Sequence, residues 1–198
     1  MSRKIDSMNI IVKLAAFTEL ETSRLLLRPF RFEDAKAMYE YTSQPENLQY
    51  VFAPHFSLEE TQYILATELM KAPLGKWAIE LKKENKLIGD IHFVSLSEKK
   101  QCAEIGYVLN QAYWNQGYLT EALATLTAFS LEEFGLKNVT LKIDQTNAPS
   151  KRVAQKVGYQ LMGNFKAASP YTGKIRDFEK YEASSANWSQ EKLVKRAH

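Results

Sequence analysis

Between a strand-like run ending at Val108-Leu109 and a helix-like run continuing through Phe134, the chain reads Tyr113-Trp114-Asn115-Gln116-Gly117-Tyr118-Leu119-Thr120-Glu121-Ala122. A helix that begins at such a turn leaves its first backbone N–H groups without intrahelical partners, and their dipoles favour an anion. The chemistry on offer is a phosphate seat. An ordinary strand-to-helix connection with one glycine has the same outline, so the surroundings must decide between the two. Other familiar chemistries lack their residues. His55, His92 and His198 are separated and show neither metal-ligand spacing nor a catalytic triad. Gly-x-Gly-x-x-Gly is absent, and Gly75-Lys76 lacks the rest of a nucleotide P-loop. Cys102 is the only cysteine, which excludes an internal disulfide or a zinc cluster and reads as a small buried hydrophobe. Hydride transfer, kinase chemistry and metal hydrolysis are therefore without their usual signatures.

The elements that would position this turn belong to a chain of 198 residues, enough for one domain with a real core and cramped for two. Hydrophobic residues at 45% and charged residues at 25% are those of a soluble globular protein. A net charge of +3 suits a phosphorylated ligand but is too small, without a clustered basic face, to argue for nucleic acid. Met8 to Phe17 follows Arg3 and Lys4 in the manner of a secretion signal, but Lys13 interrupts it and no clear small-residue cleavage site follows. No apolar stretch is long enough to cross a membrane. The expectation is a cytoplasmic protein with neither membrane nor nucleic-acid partner, a monomer or homodimer.

Arg24 to Phe30 reads as a short strand stopped near Pro29, followed by a helix from about Phe32 to Tyr41 with Ala35, Met38 and Tyr39 inward. Ser57-Leu58-Glu59-Glu60 is a capping box that starts a helix reaching about Met70. Trp77 to Leu81 and Leu87 to Leu96 alternate as a hairpin, and Ala103 to Leu109 completes a meander. In that third strand Ala103, Ile105, Tyr107 and Leu109 share one face, and Cys102, Glu104, Gly106 and Val108 the other. Leu119, Ala122, Leu123, Leu126 and Phe129 recur at helical spacing, with Gly135 as a C-cap. Val139 to Ile143 is a further strand, Asn147-Ala148-Pro149-Ser150 opens a helix that stops at Gly158, and Tyr159 to Phe165 pairs with Ile175 to Tyr181. The pattern is α/β with a mixed sheet. An N-terminal extension over 1–20, one domain over 21–183 and a polar, exposed tail over 184–198 complete the expected organisation.

Four motifs in this order, Glu21 to Pro29, Ala103 to Tyr107, Tyr113 to Ala122, and Asn147 to Ser150 continuing through Lys156-Val157-Gly158-Tyr159, resemble the RimJ/RimL branch of the GNAT N-acetyltransferases. The resemblance covers about Glu21 to Glu182. It implies a mixed, mostly antiparallel sheet of about seven strands, splayed between the fourth (Ala103–Leu109) and the fifth (Val139–Ile143), flanked by about four helices. Acetyl-CoA would lie in the gap, its pyrophosphate on amides of Gln116, Gly117, Tyr118, Leu119 and Thr120, and its pantetheine arm on the backbone of Tyr107, Val108 and Leu109. Asn115 and Leu119 stand where the branch commonly has glycine, and glycine or alanine; asparagine tolerates left-handed geometry, whereas Leu119 must point into the core and leave its amide free.

The activity implied is acetyl transfer to a primary amine, either a protein N-terminal α-amine such as that of a ribosomal protein or a small-molecule amine. The alternative is a GNAT-fold acyl-CoA-binding or regulatory module without turnover. Glu104 is the first candidate for the base, because partial burial would raise its pKa toward a useful range; a solvated or ion-paired strand glutamate is the competing reading. Many GNAT proteins carry an acidic tyrosine where this chain has Ala154, and Ser150 is the nearer match to the serine that protonates the thiolate in this branch. Ser150 as a mere helix cap is its alternative. Asn147 is a turn-former, a cofactor contact or both, and Arg152 reaches a CoA phosphate or is simply solvated.

Overall fold

The computed structural model describes residues 9–189. Eight strands form one sheet: β1 (Leu20–Glu21), β2 (Leu25–Arg28), β3 (Lys76–Leu81), β4 (Lys86–Ser97), β5 (Cys102–Leu109), β6 (Asn138–Asp144), β7 (Gln160–Ala168) and β8 (Ile175–Ser184). Their spatial order is β1-β2-β3-β4-β5-β6-β8-β7. Every pairing is antiparallel except β5 with β6. The strand beyond the seven expected is β1, a two-residue edge segment too short to show an alternating pattern. The meander arises as its alternation demands, since β3, β4 and β5 each place apolar residues on both faces and are covered on both.

Helices occupy the two faces unequally. One face carries α2 (Ala35–Thr42), the single turn α3 (Pro45–Leu48) and α4 (Leu58–Ile64); Met38, Tyr41 and Leu48 of the first two, with Leu65 directly after α4, pack against Ala78, Leu87 and Val108. The other carries α1 (Ile10–Ala16), α5 (Tyr118–Ala128) and α6 (Ala148–Val157), whose Leu14, Ala122, Leu123, Leu126, Ala154 and Val157 join Ile105, Leu109, Leu141 and Tyr181 in the larger core. The alternation read in β5 holds: Ala103, Ile105 and Leu109 enter the larger core and Val108 the smaller. Of the helix residues expected inward, Tyr39 is only half-buried, and Tyr41, on the next inward position, is fully buried instead.

Of three local signals, two develop as the residues dictate and the capping box forms only in part. Ser57 Oγ accepts from Glu60 N–H at 3.2 Å, but the returning Glu60 carboxylate takes Phe56 N–H at 2.6 Å rather than that of Ser57. The helix it opens reaches Met70 by loosening into a π-helical stretch over Leu65–Met70. α5 loosens likewise over Phe129–Glu133, and Gly135, at φ +75°, supplies the left-handed turn that ends it.

Both ends of the described chain are packed down. Residues 1–8 and 190–198 of the expected extension and tail lie outside the described residues. α1, within the stretch compared with a secretion signal, buries Ile10 and Leu14, and Phe17 sets its ring edge-on to Phe129 at 5.7 Å. Past Ala183, Trp188 is buried and donates its indole N–H to Val157 O at 2.8 Å. A single tryptophan in a polar run gives no periodicity, so neither contact is readable from local pattern. Among the described residues, no helix is long and apolar enough to cross a membrane.

Candidate active site

β5 and β6 are paired only where Cys102, Ala103 and Glu104 face Asn138, Val139 and Thr140. Beyond that, β5 follows β4 as far as Leu109 while β6 follows β8 as far as Asp144, so the sheet opens into a wedge. A cavity of about 400 Å³ fills it. The bond from Asn110 N–H to Ile88 O fixes the alternation of the β4–β5 ladder. Counting back in twos, Val108 and Gly106 turn their backbone polar groups to β4, while Tyr107 and Leu109 turn theirs to the wedge. Of the three residues expected to offer backbone to an extended ligand, Val108 is thus committed elsewhere. Leu109 O in turn accepts from Trp114 Nε1 at 2.8 Å, which anchors the turn that follows.

That turn is built to expose amides. Asn110 Oδ1 accepts from Ala112 N–H, Asn115 stands at φ +59° and Gly117 at φ +79°, and α5 begins with no side-chain cap. Among the described residues, the N–H groups of the first turn, at Tyr118, Leu119 and Thr120, have no side-chain partner, and these residues line the cavity with Asn115 and Gly117. Asn115 adopts the left-handed geometry that a glycine would, as its short polar side chain permits. Leu119 is half-buried against the larger core while still bordering the cavity, and Tyr118 is the residue of the pair that goes fully inside. Gln116 is not among the cavity-lining residues; its carbonyl faces away and accepts from Arg24 Nη1 at 2.9 Å.

Arg24 and Glu121 brace this turn from behind. Arg24 Nε donates to Glu121 Oε2 at 2.6 Å, its guanidinium stacks over the Tyr118 ring at 4.5 Å, and Glu121 Oε1 accepts from Thr22 Oγ1 and from the backbone N–H of Arg24. Burial acts to raise the Glu121 carboxyl, but the hydrogen bonds from Thr22 and Arg24 and the guanidinium charge outweigh it and hold it below the usual range. A carboxyl depressed in the fold stabilises above its unfolded value of about 4.3, and that contribution is lost as pH falls through the folded value. The motif Thr22-Ser23-Arg24 therefore acts across the sheet on α5, a role sequence spacing does not reveal.

On the opposite wall, Asn147 caps α6 by accepting Ser150 N–H at 3.1 Å. Capping is thus the work of Asn147 and not of Ser150, whose hydroxyl lies 2.6 Å from the Tyr107 hydroxyl. Burial pushes the Tyr107 phenol up to about 12 against the pull of the Ser150 hydrogen bond, so it is protonated at neutral pH. Asn147→Ala should lower stability by about 1 kcal/mol, read as a lower urea midpoint at unchanged slope. Arg152 and, one turn on, Lys156 stand exposed at the cavity rim and make it cationic. Lys156 was legible only through its i, i+4 spacing from Arg152.

Glu104 sits where the ladder is still closed, opposite Thr140, and its carboxylate is held by Lys142 Nζ at 2.7 Å. It is not among the residues lining the cavity. The ion-paired reading of this residue is the one its surroundings match. A wall unseen in the sequence comes from α3 and the loop after it: Asn47 Oδ1 accepts Gln111 N–H at 2.7 Å, and Tyr50 and Val51 close the cavity beside it.

A model of the acetyltransferase (GNAT) domain matches residues 24–160. The chain is 31% identical over 170 residues to the uncharacterized N-acetyltransferase YnaD of Bacillus subtilis, covering 86% of this chain and 99% of that protein. It is 34% identical to the ribosomal-protein-serine acetyltransferase of Escherichia coli over 86 residues, 43% of this chain and 48% of that protein. Among solved structures, a GNAT-family acetyltransferase from Bacillus anthracis superposes with a TM-score of 0.76 at 29% identity, covering 85% of this chain and 99% of that one. A parted β5–β6 pair leading into an uncapped helix is thus found in a chain that belongs to the GNAT family of acetyltransferases, acyltransferases whose acetyl donor is acetyl-CoA.

Proposed function

We propose that this chain moves the acetyl group of acetyl-CoA to a protein N-terminal α-amine, such as that of a ribosomal protein, by direct attack of the amine. The observation that carries the reading is the wedge itself. Its backbone at Tyr107 and the N–H of Leu109, turned away from β4, lead to the uncapped start of α5, an arrangement suited to an extended amide-bearing arm that ends in phosphates. The E. coli relative, named for a ribosomal-protein serine, supports the acceptor class. An α-amine also asks less of the enzyme, because its reference pKa of about 8 leaves a neutral fraction at physiological pH, whereas a lysine side chain near ~10.4 does not. A small-molecule amine is the second reading, favoured by the modest size of the cavity.

In this reading the amides from Gly117 to Thr120 take the pyrophosphate and Arg152 with Lys156 takes a further phosphate. Tyr107 and Leu109 align the pantetheine arm. Acetyl-CoA supplies the thioester carbonyl and the departing thiolate; Ser150, backed by the protonated Tyr107, supplies the proton that the thiolate needs. Glu104 is given no part in proton transfer, since its carboxylate is engaged by Lys142. Acetyl-CoA consumption measured with panels of N-terminal peptides and of small amines tests the proposal. Acetylated peptide is the expected product; acetyl-CoA binding without acetylation of any acceptor speaks for a binding or regulatory module. The brace makes a further prediction: Arg24→Met should raise the calorimetric Kd for acetyl-CoA about tenfold, the equivalent of ~1.4 kcal/mol, with kcat at saturation little changed.

A further inference from the structure

Asp90 and His92 lie two residues apart on β4 and so share a face, with His92 Nδ1 3.0 Å from Asp90 Oδ1. The other Asp90 oxygen accepts from the Tyr41 hydroxyl of α2 at 3.1 Å. Asp90 and Tyr41 are buried, while the His92 side chain keeps 30% of its surface. Burial and the neighbouring Asp90 charge push the Tyr41 phenol well above its ordinary value, so it remains a donor. A carboxylate held this way accepts from Nδ1–H, which leaves Nε2 of His92 with a free lone pair.

That nitrogen faces β5, on the side of the sheet that carries α2, and His92 is not itself among the residues lining the cavity. Nε2 lies 3.0 Å from where a Cβ on Gly106 would stand, so the ring lies over Gly106, the residue just before Tyr107 on the parted strand. Tyr107, next along β5, projects to the opposite face, where its hydroxyl meets Ser150. The two polar groups therefore flank adjacent residues of β5, an imidazole from one face and a hydroxyl pair from the other. Glycine at 106 is what permits it, because a side chain there would displace His92 and Val94.

We infer that His92 is the general base of the acetyl transfer, with Asp90 and Tyr41 as its positioning residues; this rests on the transferase reading given above. His92 Nε2 takes a proton from the acceptor nitrogen, whose lone pair forms the N–C bond to the acetyl carbon. The C–S bond breaks, sulfur takes the proton of Ser150, and Ser150 is refilled from Tyr107 and solvent. The proton on His92 leaves to solvent, so amine and thioester become amide and thiol in balance.

The test uses His92→Ala and Asp90→Asn in the full chain. His92→Ala should lower kcat about a hundredfold, leave the calorimetric Kd for acetyl-CoA unchanged, and regain rate on addition of imidazole. Asp90→Asn should lower kcat comparably by reversing the tautomer. Nitrogen NMR of the wild-type ring should show the Nδ1–H tautomer, a readout that needs neither variant to fold. An active wild type whose His92→Ala keeps its rate, or loses it with no response to imidazole, overturns the base alone, as does an Nε2–H tautomer. A wild type that binds acetyl-CoA and acetylates no amine overturns the transferase reading and the base with it.

Discussion

Ser150→Ala should lower kcat by about two to three orders of magnitude, the lower half of the range for a lost proton transfer, while the Kd for acetyl-CoA stays within about twofold. The two outcomes separate because the cap of α6 is made by the Asn147 side chain to the Ser150 backbone N–H, which alanine retains. What alanine removes is the hydroxyl 2.6 Å from Tyr107. Tyr107→Phe, which keeps the ring and the backbone facing the wedge, should slow the reaction less than Ser150→Ala, because Ser150 can be refilled from water. Glu104→Gln should leave kcat within about threefold, since it alters an ion pair with Lys142 at the closed end of the ladder. Single-turnover rates at saturating acetyl-CoA check all three. A Ser150→Ala enzyme at wild-type rate, beside a crippled Glu104→Gln, would reverse these roles.

The contrast between Ser150 and Glu104 shows what sequence could carry. Local rules worked where the partner is local: Asn147 and the proline after it open α6, Gly135 and Gly158 close helices at positive φ, and period-two alternation sorts β5 between two cores. They failed where the partner comes from another element. Lys142 reaches Glu104 because β5 and β6 run parallel in a register set by tertiary packing, and a parallel register leaves no mark in either strand's own pattern. Tyr107 meets Ser150 only after α6 has docked beside β5, and Arg24 braces α5 only after β2 has joined the sheet. Asp90 and His92 could be put on one face of β4, but which face is decided by Tyr41 arriving from α2. The site is in this sense a product of the sheet order, and its chemistry belongs to contacts made across it.

The same dependence holds at the buried ion cluster around Arg28. Arg28→Met should lower stability by about 3–5 kcal/mol, the range for breaking a buried ion pair by removing one partner. At ~2–4 °C per kcal/mol for a chain of this size, the Tm should fall by about 6–20 °C. Arg28 donates to both oxygens of Asp34 at 2.8 Å and to Glu80 Oε2 at 2.6 Å, and all three side chains are at most 8% exposed. Burial works to lower the guanidinium, but the two carboxylates outweigh it and hold it well above its ordinary range. Without the buried cation, two carboxylates from separate elements remain buried together with only the exposed Arg31, 3.9 Å from Glu80 Oε2, to offset them, and that repulsion with desolvation is the source of the loss. Replacing all three by apolar residues of similar volume should recover most of it, because the cost of burying charge disappears along with the attraction. About 1 kcal/mol should remain missing, since Asp34 Oδ2 also accepts Arg31 N–H at 2.7 Å and no apolar side chain replaces that bond. Scanning calorimetry of the single and triple variants distinguishes the two contributions, and a single variant melting within about 2 °C of wild type would show that water reaches the cluster and screens it.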